Sequence, residues 1–538
     1  MESSALWFRH GLRLHDNPSL HEAIKDRDRL FYPIFIFDGE SAGTKLCGYN
    51  RMKFLTECLE DLDKQFRKYG GQLFVFENKP EVVFKALNKH YNLKLLCFEQ
   101  DCEPVWRVRD ENVKRLCDKR GVKWMECVSH TLWDPFRVIE ENGGTPPLTY
   151  QAFLYVVSNI GNPPRPVDDV NWQGIKFGII SPEIAAELKM FPKVPTAEDL
   201  GYTREAPNEI RMFRWIGGET QALKLLQNRL AIEKSAFDGG YFLPNQANPD
   251  LLGAPTSQSA ALRFGCLSVR RFYWNLQDVF KTVHGGNLPP SPHITGQLIW
   301  REYFYTMSVN NEYYAEMERN PICLNIPWSE PKKEDLNRWK YGKTGFPFID
   351  AVMRQLLLEG WVHHVARNAV ACFLTRGDLW ISWEYGLHHF FKYLLDADWS
   401  VCAGNWMWVS SSAFEQVLDC SECVCPVAFG RRLDPGGEYV KRYLPELRSL
   451  PSEYLYEPWK APIDVQERSN CIIGKDYPPP IVDHTEASKR NKYFMQTLRE
   501  QIMGGGNAPP HCRPSDENEA KSFLGLPSQC HEHCLIQI

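Results

Sequence analysis

The sequence predicts an α/β plus all-α protein: a doubly wound parallel-sheet domain, a long connector, a large helical domain and a short C-terminal tail. Three observations predict this arrangement. Strand and helix patterns alternate over residues 1–130, residues 131–205 are rich in Pro and Gly, and helical periodicity dominates residues 206–502. Residues 503–538 are predicted to form the tail, because GGGNAPPHCRPSDENEAK has the composition of a loop.

The first 130 residues alternate between two hydrophobic patterns. Short apolar runs predict five strands, ALWF, LFYPIFIFD, QLFVFEN, LKLLCFEQD and VKWMECV. The segments between them have the apolar spacing of helices: SLHEAIKDRD, NRMKFLTECLEDLDKQFRKYG, EVVFKALNKHY and VWRVRDENVKRLCDKRG. This alternation is typical of a parallel sheet with helices on both faces. The turn RHGLRLHDNP contains no GxGxxG, so the dinucleotide-binding fingerprint is absent.

The pattern changes after residue 130. NGGTPPLTY, GNPPRPVDD and FPKVPTAED are typical of a connector that runs over the surface. Beyond it, helical spacing returns in GGETQALKLLQNRLAIEK, ITGQLIWREYFYTMSV, FPFIDAVMRQLLLEG and VHHVARNAVACFLTRG, and strand patterns nearly vanish. The second domain is therefore expected to be helical.

The composition favours a soluble intracellular protein. The formal charge of −5 over 538 residues gives no global attraction to nucleic acid. Seventeen scattered cysteines fit a reducing compartment better than a disulfide scaffold. No apolar run is long enough to span a bilayer, and MESSALWFRH lacks the features of a signal peptide.

The stretch DADWSVCAGNWMWVSSSAF, residues 396–414, combines large rings with very small residues. Trp399, Trp406 and Trp408 stand among Ala, Gly, Cys and Ser, where an ordinary core would contain Leu, Ile or Val. This composition predicts that a flat, non-protein molecule lies against the segment.

Hydroxyl side chains precede a helical pattern in PTSQSAALRFGCLS, residues 255–268. Two interpretations stay open for Thr256, Ser257 and Ser259: ordinary helix capping, or binding of a phosphate by the unpaired N–H groups of a helix start. Arg229, on the preceding predicted helix, is a suitable charged partner for such a phosphate.

The segment EGWVHHVARN places His364, Arg367 and Asn368 on one face of a predicted helix. A partner acid for Arg367 is available in Asp396 or Asp398. The pair is then either a surface ion pair or a buried link between two helices around a ligand. Too few metal ligands share this spacing to predict a zinc site.

Two further predicted helices carry tryptophans. In GQLIWREYFY, Gln297, Trp300 and Arg301 crowd beside a glutamate, which by itself favours an aromatic core stripe with a satisfied ion pair. In DLWISWEYG, Trp380 and Trp383 are three residues apart, so their Cβ atoms are expected about 5–6 Å apart on one helix face. These two indoles are either core residues or an electron relay to a buried cofactor.

Two cysteine-containing segments resemble parts of metal sites, but neither has a second half at a suitable spacing, and we predict no metal. The segments CSECVC and CHEHC contain Cys420, Cys423, Cys425, Cys530, His531, His533 and Cys534.

Seven motifs occur in order: WFRHGLRLHDNP, FDGESAG, TSQSAALRFGCLS, ITGQLIWREYFY, TGFPFIDAVMRQL, EGWVHHVARN and DADWSVCAGNWMW. Together they resemble the photolyase/cryptochrome family over most of the chain. The segments FDGESAGTK and VSHTLWDP, the residue Cys402 and the tail sequence HCRP are most similar to the insect-type (type 1), light-sensing cryptochromes.

The resemblance implies a noncovalent FAD buried in the helical domain, without a second, folate antenna. A salt bridge between Arg367 and Asp396 is implied beside it, and the small Cys402, Ala403 and Gly404 are expected to face the isoalloxazine ring. The residues implied to bind FAD are Arg229, Thr256, Ser257, Gln258, Ser259, Gln297, Trp300, Arg301, His364, Arg367, Asp396, Ala397, Asp398, Cys402 and Asn405.

The family's electron relay corresponds to Trp406 beside the flavin, followed by Trp383, Trp328 and Trp380 toward the surface. Cys402 and His364 complete the implied reactive set. The implied function is a blue-light photoreceptor of the circadian clock, monomeric, located in cytoplasm and nucleus, with weak or no DNA binding and no membrane association. Its implied partners are Timeless-like and Period-like clock proteins and ubiquitin-ligase adaptors.

Two other functions are known among proteins that this chain resembles, namely DNA photolyase and light-independent transcriptional repressor. Gln297 stands where cyclobutane photolyases typically have glutamate, and Asn368 stands where (6-4) photolyases have a second histidine. Both departures weaken the repair function. Insect relatives have Phe-Phe-Trp in the tail, but this chain has Phe523, Leu524 and Gly525, so docking of the tail in the cofactor cleft stays an open question.

Overall fold

The N-terminal domain is built on a parallel sheet. The computed structural model describes residues 1–204, 213–240, 250–252, 256–288, 294–414 and 423–505. Its strands are β1 (Ser3–Phe8), β2 (Leu30–Phe37), β3 (Phe74–Glu77), β4 (Leu93–Glu99), β5 (Lys123–Cys127) and β6 (Lys176–Phe177). The order is β3-β2-β1-β4-β5, with β6 paired to β2. The five predicted strands are confirmed, and β6, which has only two residues, was not predicted.

Helices cover both faces of this sheet, as predicted. They are α1 (Pro18–Ala23), α2 (Tyr49–Arg67), α3 (Pro80–Tyr91) and α4 (Arg107–Arg120). Because successive side chains of a strand point to opposite faces, Ala5 and Trp7 of β1 join one core and Leu6 and Phe8 join another. The core that contains Leu6 and Phe8 continues without a break into the helical domain.

The segment 131–205 is not only the surface connector that its Pro- and Gly-rich composition predicts, because it also forms helices. It contains α5 (Pro135–Glu141), α6 (Tyr150–Ile160) and α7 (Pro182–Glu187). Tyr150 of α6 is buried and stacks on Trp300, with ring centroids 3.9 Å apart. The connector therefore contributes helices to the core, although its loops are irregular.

The second domain is helical, as predicted. Its helices are α8 (Glu219–Asp238), α9 (Ser259–Phe264), α10 (Val269–His284), α11 (Ile294–Ser308), α12 (Lys333–Lys340), α13 (Pro347–Glu359), α14 (His364–Cys372), α15 (Trp383–Tyr393), α16 (Trp399–Val409), α17 (Pro426–Leu433), α18 (Glu438–Tyr443), α19 (Ile463–Arg468) and α20 (His484–Gly505). A π-helical turn, Phe373–Gly377, follows α14. No helix within the described ranges is long and apolar enough to cross a membrane.

The two domains meet at a close backbone contact. The amide of Leu12 donates to the carbonyl of Phe264, with an N···O distance of 3.2 Å. Gly265 has φ +66°, and a Cβ at this position would lie 2.3 Å from the nitrogen of Gly11. Only glycine satisfies both the left-handed backbone and the available space, which fixes α9 against the turn after β1.

Candidate cofactor-binding site

A cavity with an empty volume of about 540 Å³ opens between α14 and α16. Polar groups from both helices and the loop before α16 line one part of the wall, and apolar side chains line the rest. The lining residues are His364, Arg367, Asn368, Ala371, Phe390, Leu394, Asp396, Ala397, Val401, Cys402, Asn405, Trp406 and Val409.

The predicted salt bridge between Arg367 and Asp396 forms at the edge of this cavity. The guanidinium donates two parallel hydrogen bonds to the carboxylate, at 2.9 and 2.8 Å, and a third to the carbonyl of Val362 at 2.8 Å. Such a bidentate pair is stronger and more directional than a single contact. It joins α14 to the segment before α16 and holds both walls of the cavity in place.

Asp398 has a different role from Asp396. One carboxylate oxygen accepts the amide of Val401 at 2.8 Å and caps α16, and the other accepts the hydroxyl of Tyr305 at 2.9 Å. The Tyr305 oxygen lies 2.8 Å from Nε2 of His130, and burial lowers the pKa of that imidazole well below its usual value. Asp398 is only 4% exposed and is not among the residues that line the cavity. In this structure the Asp398 carboxylate therefore stabilises the start of α16 and does not face the cavity.

The small residues of α16 do not all face the cavity, and this part of the expectation is wrong. A Cβ on Gly404 would lie 2.4 Å from the ring of Phe304 and 2.8 Å from the hydroxyl of Tyr314, so this glycine admits protein side chains. Ala403 is fully buried and does not line the cavity. Cys402 does line it, and burial raises the pKa of its thiol far above the usual value.

The phosphate-binding candidates lie together near the start of α9. Nη1 of Arg229 donates to Oγ1 of Thr256 at 2.7 Å, and the hydroxyls of Ser257 and Ser259 are 2.9 Å apart. Ser257 accepts the amide of Ser259 at 3.2 Å, but the N-cap residue of α9 is Gln258, whose side chain makes no capping hydrogen bond. Ordinary side-chain capping is therefore not observed at this helix start, and phosphate binding stays a prediction.

An amide in the same segment lacks partners. Both polar atoms of the Gln258 side chain are buried and make no hydrogen bond to any residue that the structure describes, and the residue is 4% exposed. A buried amide without partners costs about 1–3 kcal/mol, which a bound polar ligand would offset. The neighbouring Ser259 accepts the indole N–H of Trp361 at 3.3 Å, and Arg367 lies over that indole ring at 5.8 Å. These contacts link the segment to the cavity, and the combined set fits a dinucleotide such as FAD.

The four tryptophans of the predicted relay occupy three kinds of position. Trp406 lines the cavity, and its ring packs against α15 at Gly386, one helical turn from the buried Trp383. Trp328 and Trp380 lie next to each other, with ring centroids 4.8 Å apart.

The expectation that Trp380 and Trp383 share a helix face is wrong. Trp380 has φ +55° and precedes α15, whose N-cap is Ser382. A left-handed residue cannot belong to a regular right-handed helix, so the two indoles leave the backbone in different directions. Trp380 is also only 4% exposed, which differs from a position at the surface.

Three further predicted residues lie outside the wall of this cavity. Trp300 is held between Tyr150 and Trp408, whose ring centroids are 3.9 and 5.0 Å away. Arg301 pairs with Glu302 at 2.7 Å and donates to the carbonyl of His130, as the core interpretation predicts. Gln297 is exposed on α11.

Sequence reasoning missed the apolar part of the wall. Its members have no chemical signature that separates them from ordinary core residues, and only their position reveals them. They are Ala371, Phe390, Leu394, Val401 and Val409.

The cysteine-containing segments form no metal cluster in the part of the chain that the structure describes. Cys423 contacts the carbonyl of Arg376 at 3.5 Å, while Cys420 and the tail segment CHEHC lie outside the described residues. The tail residues Phe523, Leu524 and Gly525 also lie outside them.

Comparison with known families and proteins supports the assignment that the motifs suggested. The family model described as FAD binding domain of DNA photolyase matches residues 294–497, and the DNA photolyase model matches residues 4–169. Cryptochrome-1 of Aedes aegypti is 58% identical over 99% of both chains. Cryptochrome-1 of Drosophila melanogaster is 54% identical over 97% of this chain and 98% of the relative.

Solved structures show the same fold. A bacterial class III photolyase from Agrobacterium tumefaciens superposes with a TM-score of 0.77 at 24% identity, over 93% of this chain and 98% of that chain. A cryptochrome from Synechocystis has a TM-score of 0.75 at 23% identity, over 92% and 99%. From the family models and the full-length relatives, the chain belongs to the photolyase/cryptochrome family and is similar throughout to the insect cryptochromes.

Proposed function

We propose that this protein is a blue-light photoreceptor in which tryptophans supply an electron to FAD bound in the cavity. The observation that carries the proposal is the position of Trp406, an easily oxidised indole in the wall of the cavity between α14 and α16. Its ring is held edge-on by Phe390, with centroids 5.1 Å apart, and by Trp339, with centroids 6.2 Å apart. These contacts fix the orientation of the indole in the cavity wall.

The chain's own residues bind the nucleotide and shape the cavity in this proposal. Arg229, the Thr256–Ser259 segment and the Gln258 amide hold the phosphates and the polar groups of the nucleotide. Arg367 and Asp396 fix the mouth of the cavity between α14 and α16. FAD, when bound, supplies the group that absorbs blue light and accepts the electron.

Cys402 is a poor proton donor in this site. Burial, followed by the nearby acids Asp396 and Asp398, holds the pKa of this thiol far above its usual value, despite the opposing effect of Arg367. A thiol with a raised pKa releases its proton poorly, so Cys402 does not act as an acid toward the cofactor.

The signalling consequence is a change in partner binding. A change of charge inside the cavity acts directly on Arg367 and His364, which line it. The proposed partners are Timeless-like and Period-like clock proteins and ubiquitin-ligase adaptors, and the proposed role is light input to the circadian clock. Full-length similarity to insect cryptochromes supports this role.

A repair activity is the alternative that the site disfavours. Asn368 lines the cavity on the same helix as His364 and is 3% exposed, so an amide stands where the (6-4) enzymes that this chain resembles use a second histidine. An amide does not donate a proton as a general acid. Gln297 is likewise neutral on the exposed side of α11.

One paired experiment distinguishes the two functions. The FAD-loaded protein is illuminated with blue light, and its absorbance is recorded in parallel with a thymine-lesion repair assay. The photoreceptor function predicts reversible flavin bleaching, no repair, and light-dependent capture of a Timeless-like partner. Repair above the level of a catalytically inactive photolyase, with partner capture equal in dark and light, would contradict it.

A further inference from the structure

The outer end of the tryptophan relay is covered by α20. Trp380 is 4% exposed, and Phe494 of α20 packs edge-on against it, with ring centroids 5.2 Å apart. The indole N–H of Trp380 donates to the carbonyl of Pro327 at 3.0 Å. An oxidised Trp380 would therefore keep its proton in this partly buried hydrogen bond to the backbone.

The next aromatic residue outward is a tyrosine at the surface. The rings of Phe494 and Tyr493 have centroids 6.4 Å apart, and Tyr493 is 65% exposed. The two centroid distances, 5.2 and 6.4 Å, together set an upper limit on the separation of the Trp380 and Tyr493 rings. A phenylalanine ring is much harder to oxidise than an indole or a phenol. Phe494 therefore mediates electron transfer between its neighbours without itself becoming the radical.

The position of α20 is fixed by contacts beside Trp380. Asn491 is fully buried and donates from Nδ2 to the carbonyl of Gly377 at 3.0 Å. Nη2 of Arg490 donates to the carbonyl of Asp378 at 3.2 Å, and His484 bonds to the carboxylate of Asp378 at 2.7 Å. These bonds hold the helix, and with it Tyr493, at a constant distance from the relay.

We propose that Tyr493 is the terminal electron donor of this protein. The proposal rests on the photoreduction described above, which supplies the oxidised Trp380. One electron passes from the phenol of Tyr493 through Phe494 to that indole cation, and the phenolic proton goes to bulk water. The tryptophan returns to its neutral form, and the tyrosine becomes a neutral radical. Because the proton has left, charge recombination requires its return, which prolongs the separated state.

The test identifies the radical and its position. FAD-loaded protein containing ring-deuterated tyrosine is illuminated with blue light and examined by electron paramagnetic resonance, beside protein with ordinary tyrosine. A spin trap added during illumination marks the radical residue, and peptide mass spectrometry then finds it. The variants are Tyr493→Phe and, as a matched control, Tyr155→Phe, which removes a 70%-exposed tyrosine of α6 in another part of the fold.

The proposal predicts a tyrosyl signal and a spin-trap adduct at Tyr493 in the wild type and in Tyr155→Phe. In Tyr493→Phe, a tryptophanyl signal replaces it, and the radical lifetime shortens by roughly tenfold. A wild type that forms only tryptophanyl radicals, or a tyrosyl signal that persists in Tyr493→Phe, overturns the assignment and leaves the photoreduction standing. The absence of any light-induced radical in the wild type overturns the proposed function itself.

Discussion

Replacing Gly386 with alanine is expected to displace the innermost tryptophan of the relay. A Cβ at this position would lie 2.2 Å from Cη2 and 2.5 Å from Cζ3 of Trp406, and 2.8 Å from Cδ2 of Leu374. Ordinary contact begins near 3.4 Å, so the indole must move by about 1 Å, a shift that overpacked cores commonly impose. Phe390 and Trp339 already pack against this ring and leave it little room to move.

Two opposing effects decide the change in stability. Alanine is a better helix former than glycine by roughly 0.5–1 kcal/mol, which favours the variant. Overpacking a filled core costs about 1–3 kcal/mol, which opposes it. The steric effect is larger, so we expect Gly386→Ala to lose about 1–2 kcal/mol of the free energy of unfolding. We also expect slower photoreduction, because Trp406 leaves its position in the cavity wall.

Urea unfolding followed by tryptophan fluorescence measures the change in stability. Transient absorption after a blue pulse measures the rate of photoreduction. Gly286→Ala is the control, since no described atom beyond its chain neighbours lies within 4 Å of the added methyl group and φ is ordinary. This control should change stability by less than about 0.5 kcal/mol. If Gly386→Ala matches the wild type in both stability and electron-transfer rate, then the packing of Trp406 against α15 does not position the donor.

Three further changes test other parts of the site. Gln258→Leu removes buried amide atoms that lack protein partners, so it should weaken FAD binding by roughly tenfold in a fluorescence titration without destabilising the FAD-free protein. Asp398→Ala loses the cap of α16 and the hydrogen bond from Tyr305, so it should lower the free energy of unfolding in urea by about 2–3 kcal/mol. Asp398→Asn retains the cap and should lower it by less than about 1 kcal/mol. Burial disfavours the charged form of His484, but its bonds to Asp378 and Cys425 outweigh that effect and raise the pKa of His484 to about 10. Because the pKa of an unfolded histidine is near 6.5, this stabilisation is complete below that pH and is lost as the pH rises toward 10, by on the order of 1–3 kcal/mol relative to His484→Gln.

Each of these predictions has a contradicting result. Unchanged FAD affinity in Gln258→Leu would mean that the amide does not face the nucleotide. Equal stability of the alanine and asparagine variants at Asp398 would remove the capping argument. Parallel pH profiles for the wild type and His484→Gln between pH 7 and 10 would show that the charged pair with Asp378 does not anchor α20.

The sheet and most long helices were predictable because their signals are local. Each strand of the N-terminal domain is a short apolar run, and no distant contact is needed to recognise it. The helices of the connector were missed, because Tyr150 becomes a core residue only by stacking on Trp300, which is 150 positions later in the sequence. Tertiary contacts of this kind leave no trace in a local pattern.

The site was predictable where a charged side chain requires a partner of opposite charge. Arg367 needs an acid, and the motif offered Asp396 and Asp398 without deciding between them. The choice follows from capping: Asp398 directly precedes α16, where a carboxylate satisfies the unpaired amides of the helix start. That leaves Asp396 for the guanidinium.

The error at Gly404 came from treating neighbouring small residues as one surface. Cys402, Asn405, Trp406 and Val409 line the cavity because their spacing of three, four and seven places them on one face of α16. Gly404 lies between them in sequence but on another face, against Phe304. The error at Trp380 came from assigning it to the same helix as Trp383, whereas α15 begins at Trp383 with Ser382 as its N-cap.

The most direct test of the account is the yield of flavin photoreduction in Trp406→Phe, measured beside Trp399→Phe. Both variants remove an indole from α16, but only Trp406 lines the cavity. The account predicts that Trp399→Phe bleaches under blue light like the wild type and that Trp406→Phe retains its FAD but loses most of the bleaching. Equal bleaching in the two variants, at equal FAD content, would contradict the claim that Trp406 supplies the electron.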